Sequence, residues 1–153
     1  MVRCSYEIGE DKKMDRKELV EQILKTRNLQ YIVKEGFDEY EKVDFIYYEV
    51  TNGNRKLGID IAKEYTIFFK TWHAHYSFDG YIEEFKQDLC DLLDNKMCAA
   101  CSYLGEVSNE NAGAAGTYYD YQLTKELIED EFGSGKIVMC YFFDEGLDRE
   151  FVL

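Results

Sequence analysis

The chain has 153 residues, 46% of them hydrophobic and 16% aromatic, so it is long and apolar enough to bury a sizeable core in one domain. Its 31 acidic and 18 basic residues give a net charge of −13, which argues against nucleic acid and anionic membranes as partners, because both would repel it. The five cysteines lack a secreted disulfide spacing and no apolar leader opens the sequence. We therefore expect a cytoplasmic protein with reduced thiols, and a cationic protein as its partner.

The first half of the chain predicts a helix followed by an antiparallel meander. The helix is expected to begin at Asp15, where Asp15 and Glu18 form a variant capping box, and to end near Arg27. The Asn52-Gly53 pair favours a tight hairpin turn because both residues tolerate positive φ. Alternating apolar residues around and after this turn predict three strands, over residues 43–50, 57–61 and 65–76.

The second half predicts two more helices and more strand. One helix is capped by Asp79, and the other spans about 120–132 and ends at Gly133. Residues 108–116, rich in Asn, Gly and Ala, are expected to form a mobile loop. Further strands are expected over residues 97–107, 136–143 and 147–153, the last two as a hairpin. The predicted class is α+β: an antiparallel sheet of about five or six strands (meander plus C-terminal hairpin) with helices packed mainly on one face.

The only tryptophan and both histidines fall within four residues, at Trp72-His73-Ala74-His75. In one continuous strand, side chains alternate between two faces. The prediction is that Trp72 is substantially buried while at least one histidine stays accessible. One face would carry Ile67, Phe69, Thr71, His73 and His75, and the other Phe68, Trp72 and Tyr76.

The two histidines raise the question of metal or catalysis. Imidazoles two residues apart on a strand can share a metal ion, with Asp79 or Glu83 as a further ligand, but no third ligand stands at a fixed spacing. A general base would need a nucleophile nearby, and the sequence identifies none. We therefore expect no metal, no cofactor and no catalytic residues. A small enzyme or metal-binding protein that uses His73 and His75 remains the alternative.

Cys98 and Cys101 have the CxxC spacing of redox and zinc sites. A redox pair is expected at the N-terminus of a helix, whereas this pair follows a helix and enters a predicted strand. In a strand, residues three apart point to opposite faces. The interpretation is that both are reduced, partly buried thiols.

Tyrosines and carboxylates are the other candidate binding groups. Nine tyrosines favour either a solvated sheet face or a protein interface; they are Tyr47, Tyr48, Tyr65, Tyr76, Tyr81, Tyr103, Tyr118, Tyr119 and Tyr121. Glu84, Asp88 and Asp91 are spaced to form an acidic stripe on the outer face of the second helix, opposite its apolar residues. This stripe and the segment 126–131 are either simply solvated or the contact surface for a cationic partner.

Several segments together resemble one group of bacterial proteins. They are Leu57-Gly58-Ile59-Asp60-Ile61, Tyr65-Thr66-Ile67-Phe68-Phe69, Trp72-His73-Ala74-His75-Tyr76 and the amphipathic helix through Phe85 to Leu93. In this order they resemble small bacterial proteins with a WHxHY-type motif, several of which are immunity partners of polymorphic toxins. The resemblance covers residues 43–103. It implies a toxin-binding role and transfers no functional residue.

The function expected from the sequence is a non-catalytic, acidic immunity-type protein that binds and neutralises a toxin domain. The runner-up is the histidine-based enzyme or metal-binding protein, and a homo-oligomer that buries its own tyrosines is a third option. The candidate partner-binding residues are Trp72, His73, His75, Tyr76, Glu84, Asp88 and Asp91.

Overall fold

The computed structural model describes residues 10–153, with side chains from Asp15 onward. Cys4, one of the expected thiols, lies outside the described residues. The described chain folds as α1 (Glu10–Thr26), β1 (Gln30–Asp38), β2 (Val43–Asn52), β3 (Arg55–Ile61), β4 (Tyr65–Phe69), β5 (Trp72–Tyr76), α2 (Ile82–Leu93), β6 (Met97–Tyr103), β7 (Ala112–Tyr119), α3 (Lys125–Phe132), β8 (Ile137–Tyr141) and β9 (Arg149–Val152). The α+β class is confirmed.

The strands form two antiparallel sheets, which corrects the expectation of one sheet with five or six strands. The first sheet is a five-stranded meander in the order β1-β2-β3-β4-β5. The second has the order β7-β6-β8-β9 and ends in the predicted C-terminal hairpin of β8 and β9. The sheet divides because β6 pairs with β7 and β8 instead of extending the meander.

The first sheet has one buried face, and helices α1 and α2 pack on it. Tyr48 from β2 donates a hydrogen bond of 2.8 Å to the Glu21 carboxylate of α1. Tyr65 from β4 stacks on Phe85 of α2, with ring centroids 4.0 Å apart. These contacts lie within one hydrophobic core that also takes in part of the second sheet.

Strand β6 of the second sheet is buried on both faces and contributes alternate residues to two cores. Cys101 points into the core shared with the first sheet, and Cys98 points into a second core beneath α3. The predicted opposite orientation of the two thiols is confirmed. Among the described cysteines, Cys90, Cys98, Cys101 and Cys140 are all free.

All three helices begin at other residues than the sequence predicts. Helix α1 already runs through Asp15, so Asp15 is not its cap, because helix-compatible residues precede it. Gly80 adopts a φ of +86° and turns the chain after Asp79, so α2 starts at Ile82 with Tyr81 as its N-cap residue.

Helix α3, expected from about Asp120, begins at Lys125. The hydroxyl of Thr124 caps it, and Asp120–Gln122 forms a separate 3-10 turn. The predicted end of α3 at Gly133 is confirmed.

The expected loop over residues 108–116 is wrong in its second half: residues 108–111 connect two strands through a short 3-10 turn, whereas 112–116 belong to a strand. Ala112–Tyr119 forms strand β7, which pairs with β6, and the Ser102 hydroxyl donates a hydrogen bond of 2.7 Å to the Ala114 carbonyl. The prediction failed because glycine and alanine have weak strand preferences by themselves. Pairing with a buried neighbouring strand supplies the hydrogen bonds that local sequence does not predict.

Candidate functional site

The segment 65–76 is a hairpin of two strands, not one continuous strand. The chain turns at Lys70-Thr71, so Phe69 pairs with Trp72 and Phe68 pairs with His73. Residues that face each other across an antiparallel pair share a face of the sheet. The predicted face assignment is therefore wrong: Trp72 lies on the same side as Phe69, whereas His73 lies on the same side as Phe68.

The predicted exposures in this hairpin are nevertheless confirmed. Trp72 and Tyr76 are 8% and 5% exposed and belong to the core, so neither offers its ring to a partner. His73 and His75 are both exposed, on the outer face of the first sheet. This face therefore holds only part of the residue set that sequence reasoning assigned to partner binding.

The outer face of the first sheet also carries aromatic rings that belong to neither described core cluster, among them Phe45, Tyr47 and Phe68. Two of these rings lie over glycines. A Cβ atom at Gly36 would come within 2.9 Å of the Phe45 ring, and one at Gly58 would collide with the Tyr47 hydroxyl. The glycines thus let both rings lie close against the strands, where they form an apolar floor.

These rings line a surface recess of about 460 Å³, which we call the acidic recess. Its wall has four carboxylates and one lysine, and Lys63 is already paired with Glu41 at 2.7 Å. The lining residues are Asp38, Glu41, Val43, Phe45, Tyr47, Asp60, Ala62, Lys63, Glu64, Thr66, Phe68 and His75.

Asp60 is the carboxylate in the recess without a partner. It forms no hydrogen bond or ion pair with any described residue, whereas the Asp38 carboxylate accepts hydrogen bonds from the backbone N–H groups of Tyr40 and Glu41. Burial, followed by repulsion from Asp38, raises the pKa of Asp60 above its usual value. A cation bound beside Asp60 would relieve both effects.

His75 contacts two side chains through the same ring nitrogen. Its Nδ1 lies 3.1 Å from the Thr66 hydroxyl oxygen and 2.9 Å from a Glu64 carboxylate oxygen. A nucleophile–histidine–acid relay needs the two partners on different ring nitrogens. Thr66 is also only 4% exposed, which keeps its hydroxyl from a substrate. This arrangement positions the imidazole and does not activate Thr66.

The part of the chain with described side chains contains no group of residues arranged to bind a metal ion. From residue 15 onward, no cluster of three or more His, Cys, Asp and Glu side chains could hold one. Asp79 and Glu83 therefore do not complete such a site with His73 and His75. Elemental analysis of protein purified without chelator tests the expectation of no bound metal, which one zinc per chain, lost on His73→Ala/His75→Ala substitution, would contradict.

The acidic stripe on α2 does not form an outer face, which corrects that prediction. Only Glu84 is fully exposed. The Tyr76 hydroxyl donates to Asp88 at 2.5 Å, and the Tyr119 hydroxyl donates to Asp91 at 2.7 Å. Asp91 is just 4% exposed. Helical spacing predicted one shared surface for these carboxylates, but tyrosines from neighbouring strands reach two of them.

The structure also shows which of the nine candidate tyrosines lie at the surface and which lie in the core. Tyr48, Tyr65, Tyr76 and Tyr103 lie in the core, so neither proposed surface role applies to them. Tyr81 and Tyr121 are 49% and 79% exposed. In the segment 126–131, Glu126, Glu129, Asp130 and Glu131 are exposed, so it remains an accessible acidic surface.

Sequence reasoning singled out Tyr47 only as one of nine candidate tyrosines and missed its neighbours in the acidic recess, chiefly Phe45 and Asp60. A signal for them was present in strand alternation. Phe45 and Tyr47 alternate with buried Ile46 and Tyr48, and Asp60 lies between buried Ile59 and Ile61. Register then places Tyr47 opposite Asp60.

Comparisons of this chain with protein-family models, with curated proteins and with solved structures find no match. Among the described residues, no helix combines the length and apolar character needed to cross a membrane.

Proposed function

We propose that this chain is a non-catalytic binding protein that holds a cationic protein partner against the outer face of its five-stranded sheet, and that the partner is a toxin domain which it neutralises. The observation that carries the proposal is the half-buried Asp60 carboxylate, without a described partner, on an uncovered aromatic floor. The resemblance to immunity proteins is the reason for proposing a toxin domain as the partner. The side chains of the acidic recess are the reason for proposing a cationic contact.

An arginine side chain fits this recess best. Its planar guanidinium can donate two parallel hydrogen bonds to one carboxylate and stack on aromatic rings at the same time. Asp60 offers the carboxylate, and Phe45, Tyr47 and Phe68 offer rings on the same wall. Arginine and aromatic residues are also the groups that most often dominate binding energy at protein interfaces.

The overall charge supports the same type of partner. Toxin domains that act on nucleic acids need basic surfaces to bind phosphate, and a chain with a net charge of −13 attracts such a surface at long range. Exposed Glu84 and the segment 126–131 add to this field without needing direct contact. Association should therefore slow markedly from low salt to about 0.5 M salt, as the Debye length shrinks to a few ångströms.

The decisive experiment is co-expression with the product of an adjacent toxin-like gene. We expect protection of the host and co-purification of the two proteins. Asp60→Asn should raise the dissociation constant by at least about tenfold, because it leaves the partner's cation without its counter-charge. Glu129→Gln removes the same charge from the exposed surface of α3 and serves as the matched control, with an expected change below about twofold.

Three results would contradict the proposal in different ways. If Asp60→Asn and Glu129→Gln weaken toxin binding equally, the acidic recess is not part of the interface. A concentration-dependent homo-oligomer that buries the outer face would favour self-association. If the chain neither protects the host nor co-purifies with the toxin, and instead turns over a small molecule in a reaction that requires His73, the enzyme alternative is correct.

A further inference from the structure

A second cavity, of about 500 Å³, lies at the opposite end of strand β3 from Asp60 and shares no lining residue with the acidic recess. Its lining carries three cationic side chains and one carboxylate, an unusual balance in a chain with a net charge of −13. The residues are Asn54, Arg55, Lys56, Lys70, Thr71, Tyr103, Val107, Ser108, Asn109, Tyr141 and Glu145. We call it the basic cavity.

Arg55 is fixed in the wall of this cavity. Its side chain is 9% exposed, and Nη1 donates to the Phe142 carbonyl at 2.8 Å and to the Asp148 carboxylate at 2.6 Å. The Nε and Nη2 groups form no hydrogen bond with any described residue. These two donor groups are not among the buried polar atoms without a partner in the described chain, so they are accessible to water or to a ligand in the cavity.

Lys70 supplies a second cation from a different strand connection. It occupies the two-residue turn between β4 and β5 with a φ of +58°, a conformation that such turns normally fill with Asn, Asp or Gly. Its ammonium lies 4.4 Å from the centroid of the Tyr141 ring and forms no ion pair with any described residue. The Arg55 guanidinium lies 5.4 Å from the same centroid.

We propose that the basic cavity binds the phosphate group of a small phosphorylated molecule through Arg55 and Lys70. Arg55 is already paired with Asp148, so Lys70 is the cation of the lining that forms no ion pair with a described residue, and an anion in the cavity would supply its counter-charge. The Ser108 hydroxyl and the Asn109 amide add donors from the same lining. The volume exceeds that of one phosphate and falls in the range of sites for small organic ligands.

Glu145 is the one carboxylate in the lining, and it is exposed. Lys56 is paired with Glu49 at 3.0 Å and Arg55 with Asp148 at 2.6 Å, so Lys70 contributes the largest unbalanced positive charge. Glu145 repels a phosphate and should weaken its binding. Glu145→Gln should therefore tighten phosphate binding, whereas loss of Lys70 should weaken it.

The test is a calorimetric and NMR titration of the full chain with inorganic phosphate, adenosine monophosphate and acetate at constant ionic strength. We expect saturable phosphate binding, tighter binding of the nucleotide and weaker binding of acetate. Lys70→Gly should weaken phosphate binding by about tenfold, the usual effect of one lost charge-assisted hydrogen bond. Glycine accepts the positive φ, so this variant should melt no lower than the unmodified protein.

Lys125→Ala removes an equal charge from α3 and should leave phosphate binding unchanged, which controls for the overall field. Absence of saturable binding at millimolar phosphate, or equal weakening in the two lysine variants, would overturn the proposal. Equal affinity for acetate and phosphate would show that the cavity does not prefer phosphate. Equal affinity for phosphate and nucleotide would show that the cavity does not recognise an organic part of the ligand. Toxin protection by Lys70→Gly is measured separately, because this site does not depend on the proposed inhibitor function.

Discussion

The outer face of the first sheet and the α3-facing side of the second sheet are built from the same antiparallel pairing, yet they hold different side chains. The side under α3 packs apolar and small residues, including Cys98, Ala100 and Val138, into a closed core. The outer face instead holds aromatic rings over glycines, beside Asp60, which has no partner among the described side chains. The comparison therefore separates a face that is closed by packing from one whose aromatic rings remain partly exposed.

The largest expected difference between the two faces is the cost of removing one phenylalanine from each. Phe132→Ala should lower the free energy of unfolding by about 3 kcal/mol, because Phe132 is 7% exposed beneath the second sheet. Phe68→Ala, at 40% exposure, should cost no more than about 1 kcal/mol. Urea unfolding of both variants measures this. Equal costs would mean that the outer face is packed as tightly as the core.

The glycine beneath Tyr47 offers the next largest effect. Gly58→Ala should destabilise the fold by about 2 kcal/mol, because the added methyl group would collide with the Tyr47 side chain. In a Tyr47→Ala background the same substitution should cost much less. A double-mutant cycle of unfolding free energies measures the coupling, and additive costs would show that the ring does not occupy this position in solution.

A third variant tests the corrected role of the helix carboxylates. Asp88→Ala should cost about 1.5 kcal/mol, because it leaves the buried Tyr76 hydroxyl without its acceptor. Glu84→Ala removes an equal charge from an exposed position and should change stability by less than about 0.5 kcal/mol. Thermal and denaturant unfolding of the pair checks this. Similarly small effects of both substitutions on stability would indicate that Asp88, like Glu84, is simply solvated.

The smallest expected effect on stability concerns Asp60, whose substitution, unlike the others, should not destabilise the fold at neutral pH. Because its pKa is raised in the folded protein, the folded state holds this proton more tightly than the unfolded state does. Its contribution therefore favours folding at acid pH and declines as pH rises from the unfolded pKa, near 4, through the raised folded pKa. Asp60→Asn should be no less stable at neutral pH and should show a flatter stability profile across that interval. A steeper profile would contradict the assignment.

Local sequence signals predicted several elements correctly. The Asn52-Gly53 turn joins β2 to β3, Cys98 and Cys101 point to opposite faces, and α3 ends at Gly133. In each case a residue that tolerates positive φ, or a strict alternation of side chains, is enough to specify the local structure.

The features that failed depend on distant residues. The turn at Lys70-Thr71 carries no glycine or asparagine, so the meander looks like one longer strand. Without that turn the side chains after it are assigned to the wrong face, which hides the relation between Phe68 and the histidines. The acceptor role of Asp91 likewise requires knowing that Tyr119, from a strand mistaken in part for a loop, lies beside α2.

The hydrogen bonds from tyrosines to helix carboxylates have a consequence at the alkaline limit of stability. The Asp91 hydrogen bond, above all, raises the pKa of Tyr119 to about 12, and burial together with Glu21 and Asp88 raises the pKa values of Tyr48 and Tyr76. An unfolded tyrosine ionises near pH 10, so the folded state retains protons that the unfolded state releases above that pH. Both helices that pack on the first sheet therefore depend on neutral phenols. In strong base, tyrosinate absorbance should rise together with the loss of helix, in one cooperative transition.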